Sequence, residues 1–498
     1  MVNISKPFLD YKYKSLTESL AEPHSHQEAI LKEVTKVFSD TQYASDLGFS
    51  REVSTQAYLK SMPLCRYDDL SPYISSMKLG QKNLLLKDKV RYYGESSGTT
   101  GRNKHIPLSK KYVRECLIKG SMYSAAIVNH HVRDATEGKM VVLPGSLRQI
   151  GDNQIGDVSA IMAEHIPLLL RHKSAINTGH TLNGSWETKV SAVIDAAETG
   201  NIMGLSGLPT WNLKLLEHYI ATHSEEKVQS FINNISYFVH GGISLAPYRQ
   251  RFNQIFQDRD ILYINVYNAT EGFFGFQLDP SDGEDITLFI DGHVYYEFVR
   301  LQDIEKEEPP IVPLKEVLKG TPYVMLISNT SGLYRYVMED VIAFANTAPY
   351  KIRILGRTSG FLNAFGEEVM EGTCNQVIDQ LTQLTGVEIN DFTVAPRFIQ
   401  HPEQTFMGCH EWLIEFNAAV NYNEEQLAEI IDKELKKLSH DYAEKRKNDY
   451  IMCTPIVRVL QSGCFQKYLN QQRKVSVQSK IPRISTNRQL VDDIYALI

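Results

Sequence analysis

Several common protein classes are excluded by what this chain lacks. Its 498 residues hold six cysteines (Cys65, Cys116, Cys374, Cys409, Cys453 and Cys464), and no two form a C-x-x-C pair. Scattered thiols of this kind argue against zinc or a disulfide framework and for a reducing compartment. No apolar run approaches ~20 residues, the length that spans a bilayer, so no membrane association is expected. The opening Met1-Val2-Asn3-Ile4-Ser5-Lys6 has no apolar core of signal-peptide length. A cytoplasmic location is the expectation. Basic charge is not in excess: 52 Lys+Arg stand against 59 Asp+Glu, a net charge of -7, which speaks against a nucleic-acid partner. Internal repeats, low-complexity tracts and metal-ligand spacings are missing, as is the G-x-x-x-x-G-K-[ST] phosphate loop. His130, His131 and Asp134 fall one residue short of a His-His-x-x-x-Asp acyltransferase pattern and read as a helix end.

What is present is ordinary in bulk, with 43% hydrophobic and 22% charged residues, and unusual in one place. The segment Gly94-Glu95-Ser96-Ser97-Gly98-Thr99-Thr100-Gly101-Arg102-Asn103-Lys104 puts four hydroxyls and three glycines ahead of a lysine. Glycine lets successive backbone N–H groups turn toward one point, hydroxyls add donors and Lys104 adds a full charge, a combination suited to polyphosphate oxygens. An extended His105-Ile106-Pro107-Leu108 follows, and a helix begins only near Ser109. The phosphates would therefore rest on loop amides, not on a helix N-terminus. A plain flexible Ser/Gly connector is the alternative.

The length implies two or three domains. Residues 1 to about 85 read as helical from Leu16, Leu20, Ile30, Leu31, Val34, Val37 and Phe38, and Lys89 to Tyr93 reads as a strand. Four apolar runs follow, at Met140–Leu143, Ile202–Leu205, Tyr237–Val239 and Ile261–Ile264, each ending in small or polar residues. Amphipathic segments separate the later ones, a pattern that predicts a buried, largely parallel sheet. Ligands of such sheets bind past the carboxyl ends of the strands, where these polar clusters fall. One cluster, Asn265-Val266-Tyr267-Asn268-Ala269-Thr270-Glu271-Gly272, offers an aromatic face, a hydroxyl and a carboxylate able to meet a hard cation. A strand-rich stretch from Phe273 to Phe344 leads through Gly332-Leu333-Tyr334-Arg335-Tyr336 to Asp340, which is read as following a buried strand and able to accept from ribose hydroxyls. Gly356-Arg357-Thr358-Ser359-Gly360 reads as a hinge, and a small α+β domain follows it.

Together these segments resemble the adenylate-forming (ANL) superfamily of acid ligases. Ser96 to Lys104 is similar to its phosphate loop, Asn265 to Glu271 to its N-x-Y-G-x-T-E motif, Asp340 to its ribose aspartate and Gly356-Arg357 to its hinge. The closest resemblance is to the Gretchen Hagen (auxin-responsive) acyl acid amido synthetase family, in a bacterial-type form. It is carried in order by Ser206-Gly207-Leu208-Pro209-Thr210-Trp211, His240-Gly241-Gly242-Ile243-Ser244, Gly332 to Tyr336 and Gln478-x-Lys480-x-Pro482-Arg483. Asn268 departs from a usual glycine, and Met338-Glu339 precedes Asp340 where many relatives carry a glycine.

The resemblance implies an α/β fold. A large N-terminal adenylate-forming domain (1–355), with sheets flanked by helices, would precede a small mobile C-terminal α+β domain (356–498). It implies an ATP-dependent ligase that activates a carboxylic acid as acyl-AMP, with release of pyrophosphate, and transfers the acyl group to an amine, an amino acid foremost. Transfer to coenzyme A, a carrier thiol or an alcohol is one alternative, and a non-catalytic nucleotide binder on the same fold is another. By the same resemblance Ser96, Ser97, Gly98, Thr99 and Thr100 cradle the β/γ phosphates with Lys104 assisting. Tyr267 lies on adenine, Asp340 on the ribose and Arg357 at the ribose or hinge. Thr270 and Glu271 sit near the α-phosphate, Glu271 with Mg²⁺, and Lys480 swings in for adenylation. Trp211, His240, Gly241 and Gly242 are the candidate acyl pocket, with core packing the other reading of Trp211. The expected partners are a small carboxylic acid and an amine, with an amino acid foremost, and the expected state is a monomer or weak dimer.

Overall fold

The structure is a computed structural model and describes residues 5–96, 104–175, 186–358, 360–400, 406–471 and 481–497. Contacts divide the chain into two compact units. The first holds residues up to 96, 104–207 and 219–358, and the second holds 208–218 together with the chain after 358.

Helices Ser5–Ala21, Pro23–Ser39 and Tyr67–Lys78 open the first unit. They bury Leu16, Val34, Phe38, Leu70 and Ile74, which join one core with Phe274, Tyr296, Tyr334 and Tyr336. Gln27 locks this packing. Its amide donates to Ile290 O and Val294 O at 2.9 Å each, and its oxygen accepts from Tyr296 N at 2.9 Å.

The strands of this unit, in chain order, are β1 (Tyr92–Ser96), β2 (Lys104–Leu108), β3 (Lys139–Val142), β4 (Leu147–Ile150), β5 (Asn153–Gly156), β6 (Ile202–Gly207), β7 (Tyr237–Gly241), β8 (Leu262–Ala269), β9 (Gly272–Phe276), β10 (Ile286–Leu288), β11 (Val294–Arg300), β12 (Ile311–Pro313), β13 (Pro322–Asn329), β14 (Tyr336–Thr347) and β15 (Tyr350–Arg357). A small sheet orders as β2-β1-β5-β4, and a large one as β12-β11-β13-β14-β15-β10-β9-β8-β7-β6-β3. The four apolar runs are β3, β6, β7 and β8, and they pair in parallel. The expectation of a largely parallel sheet is corrected for the sheet as a whole. Every pair from β8–β9 outward to β12 is antiparallel. Those later strands are joined by short connections, which suit antiparallel neighbours, whereas the parallel ones need a crossover segment between them.

In the second unit, β16 (Phe361–Leu362) pairs with β17 (Val369–Met370), and β18 (Ile389–Gln400), β19 (Phe406–Phe416) and β20 (Ile456–Leu460) form another sheet. Helices Glu371–Thr385 and Glu424–Leu438 pack with it around Trp412, Ile414, Leu427 and Ile431. The second helix starts with a capping box, Asn423 accepting from Gln426 N at 2.8 Å and the Gln426 side chain accepting from Asn423 N at 3.0 Å.

Candidate active site

The segment 97–103 is the connection of an antiparallel hairpin, because Ser96 on β1 pairs directly with Lys104 on β2. Of the predicted phosphate residues, Ser96 and Lys104 are therefore placed, while Ser97, Gly98, Thr99 and Thr100 lie outside the described residues. Two strand positions earlier, β1 passes so close to the Thr270 side chain that a Cβ on Gly94 would stand 2.6 Å from Thr270 Cγ2. Only glycine fits there. That approach brings the strand feeding the serine-rich loop against the predicted N-x-Y-G-x-T-E segment.

The segment itself runs off the end of β8 into β9, with a register shift between Tyr267 and Asn268. Tyr267 is buried and its hydroxyl donates to Asp340 Oδ2. Burial, then the Asp340 charge, pushes the Tyr267 phenol above its ordinary pKa. Asp340 is not after a strand, as its sequence context suggests, but inside β14, where it pairs in register with Arg357 on β15. The two side chains form an ion pair, Arg357 Nε lying 2.9 Å from Asp340 Oδ1. Arg357 also donates to Met338 O at 3.2 Å. The predicted adenine, ribose and hinge residues thus meet in one hydrogen-bonded set.

Glu271 lies beside them, only 7% exposed. Burial raises its carboxyl pKa, while Lys104 and Arg357 pull the other way and Asp340 adds to the rise. Tyr336 Oη is 3.4 Å from Glu271 Oε1, and Tyr112 donates to the Glu271 carbonyl at 2.8 Å. Lys104 is itself 8% exposed and faces Glu339, with Nζ 3.6 Å from Oε2. Arg66 reaches the other Glu339 oxygen at 3.7 Å. The result is a cluster of carboxylates and cations around the buried Glu271, whose carboxyl is perturbed by burial and by its charged neighbours, as groups at functional sites often are.

His240 and Gly241 stand one strand over. Register pairs His240 with Asn265 and Gly241 with Val266, so β7 ends beside Val266 while β8 runs on to Ala269. The His240 ring is 5% exposed, and burial followed by the Arg249 charge lowers its pKa to about 3. That lowering favours the neutral imidazole, and among the described residues its Nδ1 has no hydrogen-bond partner.

Comparison with known families now decides the class. Residues 12–163 match the GH3 family N-terminal domain, 287–357 the GH3 family central domain and 372–489 the GH3 family C-terminal domain. The chain belongs to the GH3 family. The 4-substituted benzoates-glutamate ligase GH3.12 of Arabidopsis thaliana is 21% identical, over 96% of this chain and 96% of that protein. The jasmonoyl-L-amino acid synthetase GH3.5 of Oryza sativa subsp. japonica is also 21% identical, over 74% and 76%. Among solved structures, the GH3.15 acyl acid amido synthetase in complex with 2,4-DB aligns with a TM-score of 0.61 at 18% identity, covering 97% of this chain and 95% of that one. A 2-hydroxyisobutyryl-CoA ligase in complex with 2-HIB-AMP and CoA aligns at 0.54 and 13%, covering 95% and 92%. Both likenesses are of fold, and the α/β architecture is the one expected.

Trp211 of this GH3 chain falls in the second unit, packed on that unit's core with Lys445 Nζ 5.0 Å from its ring centroid. His240 and Gly241 belong to the first unit. Gly242 also lies there, in a left-handed conformation (φ 80°). Lys480 lies outside the described residues. Sequence reasoning missed Arg66, Tyr112 and the pairing role of Glu339. Arg66 and Tyr112 are far along the chain from their partners Glu339 and Glu271, and no local signal marks them. Glu339 was visible as a departure from glycine next to Asp340. Among the described residues no cluster of three His, Cys, Asp or Glu side chains could hold a metal, and no helix is long and apolar enough to cross a membrane.

Proposed function

We propose that this chain is an ATP-dependent acyl acid amido synthetase. The observation that carries the reading is the meeting of Lys104, Tyr267, Thr270, Glu271, Asp340 and Arg357 within one unit of a GH3 family chain. An acid's carboxylate attacks the α-phosphorus of ATP and pyrophosphate leaves. An amine, in this reading an amino acid's, then displaces AMP to give an amide. The protein's task is to neutralise phosphate charge and hold the reactants in line.

In this reading Asp340 accepts from the ribose hydroxyls, oriented by Arg357 and Tyr267, and Tyr267 presents its ring to adenine. The loop 96–100 and Lys104 take the β/γ phosphates. Thr270 and Glu271 lie by the α-phosphate. Glu271 is a buried carboxylate, and Mg²⁺ commonly takes one or two carboxylates with substrate phosphates, so the donor set fits that ion. Bound there, Mg²⁺ would neutralise phosphate charge. Residues 356–498 act as a mobile domain that supplies Lys480, the acyl acid rests beside His240, Gly241 and Gly242, and the reaction runs in the cytoplasm. The test is a screen of carboxylic acids for pyrophosphate release, with and without mixed amino acids, with product masses read. Amide products are expected. A coenzyme A thioester or an ester would replace the acceptor, and no acid-dependent AMP release would end the ligase reading.

A further inference from the structure

We infer that the second unit carries a carboxylate-binding site built on Lys445 and Trp211, and that it takes the carboxylate of the amine-bearing acceptor. The inference rests on the ligase reading above and names the acceptor's anchor.

The helix His440–Lys445 ends in two adjacent buried cations, Lys445 (6% exposed) and Arg446 (4% exposed). They are treated very differently. Arg446 is saturated: it reaches Asp432 Oδ1 at 2.6 Å and Oδ2 at 3.0 Å, Met452 O at 2.7 Å, Thr454 Oγ1 at 3.1 Å, and Asp449 as well. The Lys445 ammonium has no hydrogen-bond or ion-pair partner among the described residues. Among the described residues its Nζ lies over the Trp211 ring, 5.0 Å from the centroid. The same helix as Trp211 carries another buried lysine, Lys214, and that one is paired, with Glu217 Oε2 at 3.7 Å. Lys445 is therefore the exception. A buried ammonium is unfavourable without a counter-charge, and an indole face compensates only in part.

The backbone beside the ammonium is set by Gly366 and the loop that carries it. Gly366 lies against the lysine with φ +85°, and a Cβ there would stand 3.0 Å from Lys445 Cε and 3.6 Å from Nζ. A larger residue would be strained and would crowd the ammonium. The loop that carries Gly366 is fixed from beneath by Glu367, which is fully buried. Glu367 Oε1 pairs with His410 Nε2 at 3.0 Å, and Oε2 accepts from Phe365 N at 2.7 Å. A single cation over an indole, walled by backbone, suits a compact singly charged anion. A polyphosphate would need more positive charge than this place offers.

The test uses the full-length protein and the acid that supports ATP–pyrophosphate exchange. Amide formation is measured with each amino acid and with the matching decarboxylated amine. Lys445→Met keeps the aliphatic stem and removes the charge. It is expected to raise the KM for amino acids about tenfold or more beyond any fall in exchange, the scale of one charge-assisted hydrogen bond, and to erase the preference over the decarboxylated amine. Lys445→Arg should recover much of that preference, and Lys445→Gln serves if the methionine variant does not fold. An unchanged KM and preference, with exchange intact, overturns the carboxylate site and leaves the ligase reading standing. Absence of exchange in the wild-type protein overturns both.

Discussion

Two ionic groups, one buried and one partly exposed, flank the start of β14, and they are built to opposite rules. Arg335, just before the strand, forms a forked pair with Glu297: Nε to Oε2 at 3.0 Å and Nη2 to Oε1 at 2.7 Å. It also donates to Leu59 O at 2.9 Å and to Met62 O. Glu339, four residues on, meets Lys104 and Arg66 at 3.6 and 3.7 Å, and among the described residues its Oε2 accepts no hydrogen bond. The first group is closed, tying the helix-rich opening of the chain to the sheet. The second is open, and the neighbouring Glu271 carboxyl is held above its ordinary pKa by burial. A site that must receive a charged ligand cannot be electrostatically complete without it, whereas a site that only holds the fold can.

The strongest way to break this contrast is to unpair the closed group. Glu297→Ala leaves a buried guanidinium without its counter-ion and should destabilise the first unit by about 3–5 kcal/mol. The readout is melting temperature and soluble yield, with pyrophosphate exchange per folded molecule preserved. Replacing both partners by apolar residues of similar volume should cost far less. If Glu297→Ala melted like the wild type, the pair would not be holding the fold.

The open group should behave in reverse. Glu271→Gln is expected to lower ATP–pyrophosphate exchange by roughly 10²–10³ without lowering the melting temperature. Lys480→Ala should produce a rate loss on the same scale, roughly 10²–10³, with the fold intact. Near-normal exchange in either variant would refute its role.

Titration sharpens the same point with a smaller effect. A carboxyl whose folded pKa lies above its unfolded value favours the protonated native state. Its stability contribution is therefore fully present below the unfolded pKa and is lost as pH rises through the folded one. For Glu271 the wild type should lose stability relative to Glu271→Gln as pH rises out of the acid range, and the difference should vanish at low pH. Exchange should fall on the acid side at a higher pH than an ordinary glutamate would give. Matching melting curves for the two proteins across pH would contradict the raised pKa.

Legibility in the sequence followed range. The helix Glu424–Leu438 and the parallel strands β6, β7 and β8 declare themselves through local period and apolar runs, and the motifs at Tyr267–Glu271 and Asp340 mark the strand ends and edges that meet. The placement of β10 between β9 and β15 is not local: it joins Thr287 to Phe276 on one side and to Lys351 on the other. The same holds for residues 208–218, which follow β6 in sequence yet pack in the second unit. Arg66, Tyr112 and Lys104 reach their partners across long stretches of chain, and no period or spacing encodes such meetings. The π-helical stretch Val113–Ile118 inside an otherwise α-helical run also has no sequence signature.

Glu339 gives the mildest perturbation and the finest test. It holds φ +65° inside β14, a left-handed conformation that an L side chain adopts at a cost and glycine does not. Glu339→Gly removes that strain and also removes two loose ion pairs, so the terms oppose and net stability should shift by less than about 1 kcal/mol. The charge change is not balanced in the same way. With its carboxylate partner gone, Lys104 is left with one fewer competitor for phosphate oxygens, and the KM for MgATP should fall by a factor of about two to five, the scale of a single exposed-to-half-buried ion pair. The effect should shrink in high salt, because the competition is electrostatic. A KM that rises would mean that Glu339 helps hold Lys104 in its working position, and the open group would then be a fixed scaffold like that of Arg335.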